Sequence, residues 1–410
     1  MAEPNGAEAR RMRPAPSPRR TIPILAIAAG LAVGNVYAAQ PLLGSMSESL
    51  GIDPAVIGLV VALTQLGYWL GLIFIVPLGD HIDRRRLILA QGLITTLALS
   101  VVAMARTETM LFAGMIAIGL MAVVAQVLVA FAAALVPPDQ RGRAVGMVTT
   151  GIVIGILCAR FVAGALADLG GWRAVYVASA ILTLAMVGLM ARTLPRRRTS
   201  GSGEGYAATL RSVPLLFLHD RVLLVRGLLA FLVFASFSAF WTALVLPLGA
   251  PPFGYSHTEI GLFGLVGIAG ALAASAAGRL ADRGLAQRVT GLALTLLLAS
   301  WGPIALLPHS IPALVAGVIL LDFAVQAAHV SSQSIILARH PEVGSRLIGG
   351  YMTFYSAGSG LGAIGATTMY AHAGWSGVSV LGALFGLTGL LLWGFTRTSV
   401  TPPPERQPRS

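Results

Sequence analysis

Twelve apolar runs, most of them near or beyond the ~20 residues an α-helix needs to cross a hydrocarbon core, recur along this chain between short polar segments. Lipid offers backbone groups no water, so segments of this length cross it as helices that bond internally. The runs fall at about residues 22–44, 55–78, 87–105, 109–135, 144–167, 172–194, 222–247, 258–277, 289–307, 310–337, 347–370 and 375–396. Only 11% of residues are charged and 56% are hydrophobic, where a soluble domain carries ~25% charged. The expected fold class is an all-α membrane protein with twelve transmembrane helices.

A net charge of +12 would suggest a nucleic-acid partner in a soluble protein, but in a membrane protein the placement of the charges decides more than their sum. All 28 basic residues are arginine. They concentrate in the two tails, the even-to-odd loops and the centre of the chain, whereas Arg106 and Arg173 stand in opposite loops and Arg160 lies inside a run. Arginine-rich short loops stay cytoplasmic, so both termini are expected inside, in a multi-pass protein of the bacterial inner membrane. Arg10, Arg11, Arg13, Arg19 and Arg20 precede the first run as in a secretory leader, with a cleavage-like Val36-Tyr37-Ala38. Removing that run would leave eleven spans and put the arginine-rich loops outside, so it is read as retained.

The chain also repeats itself. At a constant offset of 203, Ile57-Gly58 matches Ile260-Gly261, Pro138-Asp139 matches Pro341-Glu342, and Arg143 matches Arg346. Gly146, Gly155, Gly171 and Trp172 match Gly349, Gly358, Gly374 and Trp375 in the same register. An offset that covers six helices means two halves of like orientation. The division is residues 1–20 as a disordered cytoplasmic tail, 21–194 as an N-terminal six-helix bundle, 195–221 as a cytoplasmic linker, 222–396 as a C-terminal six-helix bundle, and 397–410 as a disordered tail.

The charged hairpin Val76-Pro77-Leu78-Gly79-Asp80-His81-Ile82-Asp83-Arg84-Arg85 and its second copy, Gly278, Leu280, Ala281, Asp282, Arg283 and Gly284, resemble the loop signature of the major facilitator superfamily. Pro138 to Arg143, followed by Gly171-Trp172-Arg173, is similar to that family's drug-efflux branch. The resemblance covers the whole span from helix 1 to helix 12. It implies two pseudo-symmetric six-helix bundles, a central cavity lined by helices 1, 4, 7 and 10, and a cytoplasmic latch at Asp80, Arg84, Arg85, Asp282 and Arg283. Helix 5 departs from the efflux pattern: Gly151 and Gly155 are present, but Ile156-Leu157-Cys158-Ala159-Arg160 replaces the proline-containing continuation.

Ionisable groups inside spans are costly and mark functional positions. Asp322, Gln326, His329 and Gln333 share one face of helix 10, and Asp322 is the only acid well inside a run. Asp322 and His329 are expected to carry protons or anchor the solute; the bland alternative is that they fasten the bundle. Arg160 either snorkels to the interface or faces inward, where it would pair with Asp322 or hold an organic carboxylate. Asn35, Gln40, Gln65, Gln126, Trp241, Gln326, Gln333, Tyr351 and Tyr355 are expected around the cavity, Gln126 because it answers His329 in the repeat.

Gly360-Leu-Gly-Ala-Ile-Gly365 fits a dinucleotide string but sits in an apolar helix, and Gly201 to Gly205 lacks the lysine of a phosphate loop. No cofactor, metal or enzymatic chemistry is expected, and Cys158 has no cysteine to pair with. The expected function is a monomeric secondary active transporter that moves a small organic solute by alternating access, with proton-coupled efflux as the first reading. The partners are the solute, protons and the lipid bilayer, without nucleic acid. The alternatives are proton-coupled uptake of an organic anion and a non-transporting sensor of the same fold.

Overall fold

The structure, a computed structural model, describes residues 18–137, 140–195, 206, 217, 219–339 and 344–400. The tails, most of the central linker and Pro138-Asp139 with their repeat Pro341-Glu342 lie outside the described residues, as do the side chains of Asp80, Asp282 and Arg346.

The first half contains α1 (Pro18–Tyr37), α2 (Leu59–Phe74), α3 (Arg84–Ala103) and α4 (Glu108–Ala122, continued by Val124–Ala134). A single helical path, Arg141–Thr193, then supplies α5 and α6 on either side of Gly171. The second half contains α7 (Arg221–Ala243), α8 (His257–Val266 with Ile268–Asp282), α9 (Ala286–Ala305) and α10 (Ile311–Arg339). A second long path, Gly344–Val400, gives α11 and α12 around Gly374. Eight of these helices are long and apolar enough to cross a membrane, and Arg141–Thr193 and Leu347–Arg397 are long enough to cross it twice. With α2 and α8 added, the twelve expected spans are present among the described residues.

Local chemistry sets the ends. Asp83, Thr107 and Asp220 each accept a backbone N–H from the first turn of α3, α4 and α7, and Ser256 with Glu259 forms a capping box at α8. The α2 helix is shorter than the apolar run implied: it ends at Phe74 and tightens into the turn Val76–Asp80, where Pro77 has no N–H to extend it. The expected loops between the fifth and sixth span of each half reduce to one residue. Gly171 (φ 75°) and Gly374 (φ 58°) both take the left-handed region, which glycine enters without a Cβ penalty.

The two halves meet along two equivalent seams. A Cβ on Gly58, at the N-cap of α2, would come within 2.5 Å of the carbonyl of Ala363 on α11, and one on Gly261 of α8 within 2.5 Å of the carbonyl of Arg160 on α5. Both members of each contact are related by the repeat offset, so the matched Ile-Gly pairs do the same work in both halves. Within the halves small residues allow similar approach, as where Gly155 meets the carbonyl of Gly30. At Gly119 a Cβ would lie 1.9 Å from the carbonyl of Thr64. Backbone cannot yield to that extent, so Gly119→Val is expected to lower the melting temperature of the purified protein by several degrees, as overpacking costs about 1–3 kcal/mol. An unchanged melting curve would contradict the α2–α4 packing.

Candidate functional site

Asp322 is buried near the middle of α10. One carboxylate oxygen, Oδ1, accepts the indole Nε1–H of Trp241 from α7 at 3.3 Å. The other faces Gly267, where the chain passes between the two pieces of α8 and where a Cβ would come within 2.6 Å of it. The missing side chain gives this carboxylate its room.

Arg160 faces inward and does not snorkel: it is 3% exposed. Its Nε donates to Gln40 Oε1 at 2.6 Å, and its Cζ stacks 3.9 Å over the Trp241 ring, with the rings of Tyr37 and Phe237 at 5.2 and 5.9 Å. Its Nη2 has no partner among the described residues. Arg160 and Asp322 come from opposite halves and form no ion pair; Trp241 engages both, the guanidinium over its ring face and the carboxylate at its indole N–H. The desolvated stack contributes up to ~2 kcal/mol, far less than a buried charge costs to isolate.

His329 lies seven residues beyond Asp322, about 10 Å along the helix axis. Its ring nitrogens are taken up by Tyr351 Oη and Gln333 Nε2, each at 3.1 Å, and Phe234 packs edge-on against it. The structure thus places His329, Gln333 and Tyr351 in one network and Asp322 with Trp241 in another. Tyr355 bonds Tyr37 hydroxyl to hydroxyl across the halves and packs 4.1 Å from Phe234. Gln126 donates to the Tyr68 hydroxyl at 3.3 Å, and the Cγ of Gln326 packs where Gly270 lacks a side chain. Two of the expected cavity residues serve contacts elsewhere. Asn35 turns to Thr183 on α6, and Gln65 receives the Ser356 hydroxyl at the α2–α11 seam.

At the end away from Arg84 the halves are pinned by a contact that spacing does not announce. Asp168, at the tip of α5, accepts the backbone N–H of His257 and of Thr258 at 3.1 and 2.9 Å, the Thr258 hydroxyl at 2.5 Å and the His257 Nδ1 at 2.8 Å. It thereby caps α8 of the other half at the positive end of its dipole. His257 Nε2 continues to Ser45 Oγ at 3.1 Å. Burial raises the Asp168 pKa, but the four hydrogen bonds from Thr258 and His257 outweigh it and hold the carboxyl down at about 2.

At the opposite end, Arg84 donates to the carbonyls of Gly79 and Ala130, and Arg85 to that of Ala191, all within the first half, while Arg283 is exposed. A second buried arginine escaped the sequence reading. Arg226 on α7 is fully buried, donating to Thr290 at 3.1 Å and to Gln287. It lies five residues into α7, inside the run expected at 222–247.

Two like-oriented six-helix halves that close on a buried charged site between them define the chain as a polytopic membrane transporter. It belongs to the major facilitator superfamily, whose sequence profile matches residues 25–251 and again 226–410. It is 42% identical over 378 residues to the uncharacterized transporter YgaY of Escherichia coli O157:H7, covering 92% of this chain and 96% of that one. A shorter stretch of 203 residues is 27% identical to the purine ribonucleoside efflux pump NepI of Escherichia coli O127:H6, covering 49% and 50% of the two chains. Among solved structures, a bacterial homolog of the human lysosomal transporter Spinster, inward-facing and occupied, superposes with a TM-score of 0.78 at 13% identity, over 94% of this chain and 98% of that one. Fold and relatives are those of transporters rather than enzymes.

Proposed function

We propose that this protein is a proton-coupled exporter of a small organic solute, working as a monomer by alternating access in the bacterial inner membrane with both termini in the cytoplasm. The observation that carries the reading is Asp322: among the described residues it is the one acid in the middle of a span, and it is buried where the halves meet. With the arginine-rich end inside, the Asp168–α8 contact and the Gly58 and Gly261 seams close the outer side, an inward-facing arrangement. The likeness to an efflux pump supports the outward direction.

Uptake of an organic anion is a second reading, favoured by the unpartnered Nη2 of Arg160, whose planar fork suits a carboxylate. Right-side-out and everted vesicles separate the two. Export is expected to give uncoupler-sensitive solute accumulation in everted vesicles alone; accumulation in right-side-out vesicles would establish uptake. Flux in neither, with a panel of organic cations, anions and nucleosides, would favour the sensor.

A further inference from the structure

The unusual element of the site is Trp241. A carboxylate and a guanidinium that face each other in a dry interior attract strongly, and a direct ion pair is the expected outcome. Here no such pair forms, and Trp241 engages each group separately. Arg160 stacks on its face at 3.9 Å while its Nε1–H holds Asp322 at 3.3 Å. The ring is itself fixed by Phe240, edge-on at 5.1 Å, and by Phe237 at 6.3 Å. On the other side Gln40 keeps the guanidinium on the first half. The remaining titratable groups that face the pair are Tyr37 from α1 and Tyr355 from α11, which are bonded to each other, while His329 on α10 is committed to Tyr351 and Gln333.

We propose that Trp241 is a positioning residue that holds Asp322 and Arg160 apart, so that a proton and not the guanidinium neutralises the carboxylate. A direct Arg160–Asp322 pair would have two effects at once. It would occupy the proton site, and it would bind α5 to α10 across the halves beside the Gly261 seam, fixing the closed outer side. With each group held separately by the indole, loading and unloading of Asp322 leaves the halves free to separate. This inference rests on the reading that Asp322 carries the proton.

The test is infrared spectroscopy of the purified full chain across pH, following the C=O band of a buried protonated carboxyl assigned by its loss in Asp322→Asn. Trp241→Ala removes the spacer, so the band is expected to appear only at lower pH, by about one unit or more, because Arg160 captures the carboxylate. Trp241→Phe keeps an aromatic plate for Arg160 but loses the N–H donor, and its band is expected to appear at higher pH than in the native protein. A purely structural tryptophan would move neither band or both alike, and either outcome overturns the spacer. Absence of any band that Asp322→Asn removes overturns the proton-carrier reading itself. Should Trp241→Ala not fold, Trp241→Phe decides alone: an unmoved band overturns the inference.

Discussion

Asp322→Asn is expected to abolish proton-driven accumulation of the solute, by at least tenfold, while solute exchange without a pH gradient survives. The asparagine keeps the size of the side chain and can still accept the Trp241 N–H, so the packing beside Gly267 is preserved. What it loses is the exchangeable proton. His329 offers no substitute, since both of its ring nitrogens are committed to Tyr351 and Gln333. Counterflow in proteoliposomes, with and without an imposed pH gradient, measures the two activities side by side. Gradient-driven accumulation in Asp322→Asn at the native level would move the proton to another group.

The second large effect is expected at the outer contact. Asp168→Ala deletes four hydrogen bonds to a charged acceptor and removes the cap that the first half places on α8, leaving the Ser256–Glu259 box. Each such bond contributes about 1.5–3 kcal/mol, so even partial replacement by water should shift the balance toward the outward-open state by tenfold or more. Spin labels at Arg106→Cys and His309→Cys, in a Cys158→Ser background, report the separation of the two halves there. A longer distance population is expected in Asp168→Ala, and an unchanged distribution would show that the glycine seams alone hold the outer side.

The pH dependence of this contact follows from the sign of the shift. The closed state holds the Asp168 carboxyl at about 2, below its usual 3.8, so closure is favoured above the usual value and weakens as pH falls from there through about 2. Between roughly pH 5 and 8 the Asp168 carboxylate itself therefore stays ionised.

The fold was legible because hydrocarbon imposes period and length on every span, and because duplication wrote the pattern twice. Gly171 and Gly374 stood at equal offset, and both turn out to be the single residues that reverse a long helix. The site was legible in part. Burial of a lone acid marks Asp322, yet helical spacing places His329 on the same face without revealing that it binds Tyr351 rather than Asp322. The direction of Arg160 depended on how α5 rotates against α8, which no local pattern encodes. Asp168 and His257 are 89 positions apart and each read as an ordinary loop residue, so their meeting comes only from the tertiary fold.

The seams at Gly58 and Gly261 are copies of one another in backbone, but where the first meets Ala363 the second meets Arg160. One seam thus carries a cation that its copy lacks, and the buried acid stands in the other half. Neither half alone holds both buried groups: Arg160 comes from the first and Asp322 from the second. The pseudo-symmetry that builds the scaffold is broken at the point where the two halves became one molecule.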